Sequence, residues 1–163
     1  MEDEDLGRRV AELLGERTIA TAESCTAGRV AEVLASVEKA TEFLRGGIVA
    51  YQDEIKRGLL DVAAESVISA AAAAEMAAGA ARLFDADVTV STTGVAGDEA
   101  ADGVPPGTVF IATSVDGDVG SSVHRFDGTP EEVCDQARRQ ALVELIEAMD
   151  CVAPRGLGSA RSG

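Results

Sequence analysis

A run of small and polar residues, Ala22 to Gly28, joins an apolar segment to an amphipathic one near the start of the chain. The apolar segment, residues 17–22, predicts a buried strand, and residues 29–36 predict a helix. Such a strand–turn–helix unit is typical of α/β folds. The turn places hydroxyls, a thiol and backbone N–H groups at a helix N-terminus, where the helix dipole favours negative charge. It is therefore a candidate anion site, or a nucleophile with its oxyanion donors.

Strands and helices alternate along the rest of the chain. After a break at Gly46-Gly47, strands are predicted at 48–51 and 88–92, followed by a hairpin of 107–114 and 119–126. Helices are predicted at 6–15, 52–60 and 70–84, the last capped by Ser69, and from Thr129-Pro130 onward. About five strands interleaved with helices and ending in a hairpin predict an α/β fold, a three-layer α/β/α sandwich with a mixed sheet.

The length of 163 residues predicts one domain. We assign that domain to residues 1–152. Residues 153–163 are rich in Gly, Ser and Arg and are expected to form a disordered tail.

The charge balance limits the classes of partner. The chain has 29 acidic and 14 basic residues, a net charge of −15, which repels nucleic acid and anionic lipid. It has no apolar stretch long enough to span a bilayer, and its acidic start is unlike a signal peptide, so we expect a cytoplasmic protein. Only Lys39 and Lys56 are lysines. An acidic, lysine-poor chain is typical of organisms with high cytoplasmic salt; an ordinary acidic protein and a cation-binding role are the alternatives.

The cysteines and the single histidine argue against a metal centre. Cys25, Cys134 and Cys151 lack metal-ligand spacing, so we expect a reduced protein without metal. His124 lies in an alternating segment and is interpreted as a strand residue rather than a catalyst. Cys25 is also a candidate reactive thiol, because a helix N-terminus lowers the pKa of a thiol, although buried structural cysteines are more common.

Two glycine-bearing turns, 23–28 and 93–97, are expected at one edge of the sheet, where open α/β sheets bind ligands. The alternative is that their small residues only let helices pack closely. Lys56 adds to the first interpretation, because a buried lysine can lose its proton near neutral pH and an arginine cannot. Tyr51 precedes it by five residues. Ser, Tyr and Lys form a proton-transfer set without histidine, although a lone tyrosine is more often a core residue.

Taken in order, these segments resemble the CinA C-terminal domain family, whose members include nicotinamide-nucleotide amidases. The resemblance covers roughly residues 6–150 and is carried by Glu23-Ser24-Cys25-Thr26-Ala27-Gly28, Gly46 to Tyr51, Lys56, Ser69, Met76 to Ala80, Thr93 to Gly97, Pro106 to Val109 and His124 to Gly128. It implies a three-layer fold with a mostly parallel sheet. It also implies hydrolysis of nicotinamide mononucleotide to the acid and ammonia, without a cofactor, by a homodimer or higher homo-oligomer that binds a pyridine nucleotide.

The resemblance also implies roles for individual residues. Ser24 matches the nucleophile, and Tyr51 and Lys56 match the groups that transfer its proton to departing ammonia. Backbone N–H groups around Cys25 to Gly28 are the implied oxyanion donors. Substrate contacts are implied for Glu23, Cys25, Thr26, Gly28, Gly47, Thr93, Gly94 and Gly97.

The sequence departs from the family pattern at several positions. Ala27 replaces a glycine, which fits only if this position does not need a positive φ. The loop of residues 98–103 is acidic, and Pro130 and Cys134 replace arginines. The altered loop of residues 98–106 and the missing arginines motivate a second hypothesis, a catalytically silent nucleotide-binding or protein-interaction module.

Overall fold

A five-stranded sheet forms the middle layer of the protein. The computed structural model describes residues 1–152, and the predicted tail of residues 153–163 lies outside them. The strands are β1 (Ile19–Glu23), β2 (Leu44–Val49), β3 (Val88–Gly94), β4 (Thr108–Val115) and β5 (Asp118–Arg125), in the spatial order β2-β1-β3-β4-β5. Strands β1, β2 and β3 pair in parallel, and β4 runs antiparallel to both of its neighbours. Four strands therefore point the same way, which confirms the predicted mixed, mostly parallel sheet.

Helices cover both faces of this sheet. They are α1 (Asp3–Leu14), α2 (Arg29–Ser36), α3 (Asp53–Leu60), α4 (Ala70–Phe84) and α5 (Pro130–Cys151). Helices α1, α2 and α5 bury aliphatic side chains with β3 and β4 in the larger core, and α3 and α4 pack mainly small residues on the other face. None of these helices is long and apolar enough to cross a membrane.

The caps of two helices are those predicted from the sequence. The Ser69 hydroxyl accepts a hydrogen bond from Ala72 N at the start of α4. At the start of α5, Thr129 and Glu132 form a capping box, in which each side chain accepts from the other's backbone N–H. These local bonds fix where the two longest helices begin.

The predicted strand break at Gly46-Gly47 is wrong, because β2 runs through both glycines. The pairing with β1 shifts register there, and Gly46 has a φ of 147°. A Cβ on Gly46 would lie 2.9 Å from the ring of Phe84, and one on Gly47 would collide with the Thr21 hydroxyl. Glycine is needed at these positions because neighbouring groups approach the strand closely, and not because the chain turns.

Hydroxyls at alternate positions of β3 donate hydrogen bonds to backbone carbonyls of α4 and of the segment before it. Thr89 Oγ1 donates to Ala77 O at 2.8 Å, and Ser91 Oγ donates to Ala73 O at 2.5 Å. Thr93 Oγ1, one step further along, donates to Val67 O at 2.7 Å. The two-residue repeat of a strand thus places the Thr93 hydroxyl under the segment that leads into α4.

Candidate active site

A cavity of about 220 Å³ opens at the edge of the sheet where β1 and β3 end. It is lined by Ser24, Cys25, Tyr51, Asp53, Lys56, Ile68, Gly94, Val95, Ala96, Gly97 and Ala101. The two predicted turns therefore meet at one edge, and the structure brings the three predicted catalytic residues to one cavity. Parallel pairing of β1 with β3 and with β2 is the reason, because it places the carboxyl ends of all three strands together.

A tight turn holds Ser24 at the end of β1. Ser24 N donates to Thr92 O at 3.0 Å, and Ala27 N donates to Ser24 O at 3.1 Å. Ala27 has a φ of 50° and Gly28 one of 95°. The position does adopt a positive φ, so the condition stated for an alanine here is not met: the exposed Ala27 accepts the left-handed conformation, at a cost of about 1 kcal/mol.

Glu23 is buried behind the turn, with 1% of its surface exposed, and does not line the cavity. Its carboxylate accepts hydrogen bonds from Thr21 Oγ1 and Thr26 Oγ1, and from the backbone N–H groups of Val30 and Ala31 in the first turn of α2. This corrects its assignment as a substrate contact. Its oxygens are engaged within the protein, and they occupy the helix N-terminus that was a candidate anion site.

Glu23→Gln is expected to lower the free energy of unfolding by at least about 2 kcal/mol. The amide keeps the size of the side chain, but its NH₂ group faces donors and leaves them unpaired in a buried position. Glu32→Gln makes the same substitution at an exposed position of α2, the helix whose first turn bonds to Glu23, and is the matched control. Urea titrations followed by circular dichroism measure both variants. Equal stability of Glu23→Gln and the wild type would contradict the assigned role.

Three more of the implied substrate contacts shape the turn and the sheet instead. Thr26 is fully buried and donates to Glu23 at 2.6 Å. Gly28 supplies the positive φ that precedes α2, and Gly47 makes room for the Thr21 hydroxyl. None of the three lines the cavity. These three residues therefore have packing and turn roles, and their predicted substrate contacts stay predictions.

Lys56 is the buried amine of the site, with 3% of its surface exposed. It shares one face of α3 with Leu60, whose backbone packs so closely on α4 that a Cβ at Gly79 would collide with it. Lys56 Nζ donates to Thr93 Oγ1 at 3.4 Å. Because the Thr93 hydroxyl gives its own hydrogen to Val67 O, it presents a lone pair to the amine. Thr93 thus orients Lys56 from beneath the cavity.

The pKa of Lys56 is lowered from its ordinary value of 10.5. Burial is the main cause, since it disfavours the charged ammonium. The negative charges of Asp53 and Asp102 oppose the shift. The site therefore holds an amine that gives up its proton more readily than a lysine in solvent.

Tyr51 lies at the mouth of the cavity. It follows β2 and is 66% exposed, and its hydroxyl forms no hydrogen bond within residues 1–152. It is therefore not the core residue that was the alternative interpretation of a lone tyrosine. Its position allows contact with a molecule entering or leaving the cavity.

The thiol of Cys25 is not an activated nucleophile. Burial raises its pKa to about 12, with a further increase from nearby Cys134. The hypothesis of a reactive thiol, based on a helix N-terminus that lowers the pKa, is therefore wrong. The α2 N-terminus acts on Glu23 instead, and Cys25 lines the cavity as a largely apolar group.

His124 is a strand residue, as predicted. It lies on β5, opposite Val109, and its Nε2 is 2.5 Å from the Glu144 carboxylate. It does not line the cavity with Ser24. Its Nε2 also lies 2.9 Å from Ser122 Oγ, and because the chain has no other histidine, Ser24 has no histidine partner in the cavity.

The sequence matches the CinA C-terminal domain over residues 3–149. The chain belongs to the CinA C-terminal domain family. It is 36% identical over 159 residues to Protein YdeJ of Escherichia coli, an alignment that covers 90% of this chain and 92% of that protein. It is 39% identical over 153 residues to a CinA-like protein of Flavobacterium psychrophilum, covering 89% of this chain and 36% of the relative. The chain thus spans about a third of the length of that longer CinA-like protein.

Solved structures of CinA proteins share the fold. The competence damage-inducible protein A of Klebsiella pneumoniae superposes with a TM-score of 0.90 at 34% identity, covering 94% of this chain and all of that one. A CinA superfamily protein from another Klebsiella pneumoniae strain gives a TM-score of 0.87 at 35% identity, covering 92% of this chain and 99% of that one. These likenesses extend the family assignment to the whole three-layer sandwich.

Sequence reasoning missed Asp53 and Asp102 as neighbours of Lys56. Asp53 precedes Lys56 by three residues on α3, a spacing that places two side chains on one helix face and was a usable signal. Asp102 reaches the lysine from the loop after β3, and no local pattern predicts that approach. Of the implied substrate contacts, Cys25, Gly94 and Gly97 line the cavity, and Thr93 lies behind Lys56.

Proposed function

We propose that this protein is a serine amidohydrolase that converts nicotinamide mononucleotide, or a related pyridine carboxamide, to the acid and ammonia. One observation carries the proposal: a candidate nucleophile, Ser24, and a buried amine with a lowered pKa, Lys56, line the same cavity. A hydroxyl needs a base to become a nucleophile, and no histidine lines the cavity to provide one.

In the proposed first step, neutral Lys56 Nζ accepts the proton of Ser24 Oγ while that oxygen bonds to the carboxamide carbon. The carbonyl oxygen then carries a negative charge. The backbone N–H groups of Cys25 and Thr26 are its candidate donors, because neither makes a backbone hydrogen bond within residues 1–152. The N–H groups of Ser24 and Ala27 are excluded, because both are already bonded.

In the second step, the carbon–nitrogen bond breaks and the nitrogen leaves as ammonia, with the proton that Lys56 had accepted. Tyr51, at the cavity mouth, is placed to relay that proton with its exposed hydroxyl. Water then attacks the ester on Ser24, with Lys56 again taking a proton. The acid is released and the Ser24 hydroxyl is restored.

The test is an ammonia-release assay of the wild-type protein on pyridine carboxamides, including nicotinamide mononucleotide, in multimolar salt. We expect turnover that a coupled ammonia assay detects. A protein that binds the nucleotide in calorimetry but releases no ammonia would contradict the proposal and favour a silent binding module.

A further inference from the structure

A second cavity adjoins the one that contains Ser24. It measures about 200 Å³ and is lined by Ala96, Gly97, Asp98, Pro106, Gly107, Phe126, Asp127, Gly128 and Val133. The two cavities share Ala96 and Gly97. The second cavity is therefore the neighbouring space for any part of a substrate that extends beyond a carboxamide at Ser24.

Carboxylates dominate the charge of this extended site. Asp53 lines the first cavity, and Asp98 and Asp127 line the second. None of the three forms a salt bridge within the described part of the chain. Asp102 accepts a 3.4 Å hydrogen bond from Ser66 Oγ. Its charge is close enough to Lys56 to oppose part of the lowering of the pKa of that residue. Lys56 is the one basic side chain lining either cavity.

The α2 N-terminus and the Thr129 N–H, which could otherwise bind a phosphate, are occupied at this edge. The first N–H groups of α2 bond to the Glu23 carboxylate, and Thr129 N at the start of α5 donates to Glu132 at 2.7 Å. Arg29 lines neither cavity. It donates to Thr26 O, and its guanidinium lies 3.6 Å from the Asp135 carboxylate. No arginine fork lines the second cavity in the described structure.

We infer that the substrate of this site is a carboxamide that carries no phosphate, specifically a cationic pyridinium nucleoside. The inference rests on the proposed function and narrows it. A phosphate in the second cavity would face unpaired carboxylates, whereas a pyridinium ring is attracted by the same charges. The charge of the site therefore favours a carboxamide without phosphate over one with phosphate, although both contain the same reacting group.

The test compares nicotinamide riboside with nicotinamide mononucleotide, which share the carboxamide, the cationic ring and the ribose and differ only in the phosphate. At the lowest ionic strength that keeps the protein folded, kcat/KM for ammonia release is expected to be at least about tenfold higher for the riboside. The ratio is expected to fall as salt is added, because salt screens exposed charges. Nicotinamide, which lacks the positive charge, is expected to be a poorer substrate than the riboside.

A variant without the two carboxylates of the second cavity tests whether those residues cause the preference for the riboside. The double variant Asp98→Asn/Asp127→Asn is expected to lower the riboside-to-mononucleotide ratio at least about threefold. Asp85→Asn/Asp118→Asn changes the net charge equally at exposed positions on the opposite edge of the sheet, and the ratio is expected to stay unchanged. Circular dichroism confirms that both variants fold.

The outcomes separate this inference from the function on which it rests. Ser24-dependent ammonia release with an equal or higher kcat/KM for the mononucleotide would overturn the inference and leave the amidohydrolase proposal standing. An unchanged ratio in the Asp98→Asn/Asp127→Asn variant would also overturn it. Failure to release ammonia from all three compounds would overturn both.

Discussion

Ser24→Ala is expected to reduce ammonia release from the pyridine carboxamide substrate by about 10⁴-fold or more. The variant lacks the only oxygen that the proposed mechanism bonds to the carboxamide carbon. Substrate binding is expected to persist, because the cavity loses one atom and none of its charges. Initial rates measure the loss of turnover, and calorimetry measures the retained affinity.

Ser36→Ala is the matched control for this variant. It makes the same substitution at an exposed position at the end of α2, where the hydroxyl bonds only to Val33 O. We expect wild-type turnover from it. Residual activity of Ser24→Ala within tenfold of the wild type would remove Ser24 as the nucleophile.

Lys56→Met is expected to lower kcat by about 10²- to 10⁴-fold, because it removes the general base and leaves a side chain of similar length. Lys56→Arg is expected to be equally impaired, since a guanidinium keeps its proton at any working pH. Lys39→Met changes the one other lysine, which is exposed, and is expected to behave as wild type. Rate measurements that show little loss in Lys56→Met would contradict the assigned base.

The pH profile provides a second readout for the same residue. The amine must be neutral to accept a proton, so activity is expected to rise with pH through the pKa of Lys56. That limb is expected below the ordinary lysine value of 10.5, because burial lowers the pKa. Asp53→Asn removes a charge that raises this pKa, so the limb is expected to move to lower pH. A shift in the opposite direction would exclude Lys56 as the titrating group.

Much of the fold follows from local signals in the sequence. Ser69 and the Thr129–Glu132 pair mark helix starts that the structure reproduces, because capping involves residues three apart in the chain. The Gly46-Gly47 pair predicts a break, but β2 runs through it. The reason for those glycines is the ring of Phe84 and the hydroxyl of Thr21, which reach β2 from other elements. The sequence of one strand does not show which groups of other elements approach it.

The composition of the site also followed from the sequence, and its electrostatics did not. The turn of Ser24 and the single lysine of α3 stand out in the sequence by residue type and spacing, and the parallel pairing of β1 with β2 brings them together. Only the tertiary structure decided that Glu23 closes the α2 N-terminus and that burial lowers the pKa of Lys56. Burial and long-range charge depend on packing between elements distant in sequence, whereas turns and caps are encoded by neighbouring residues.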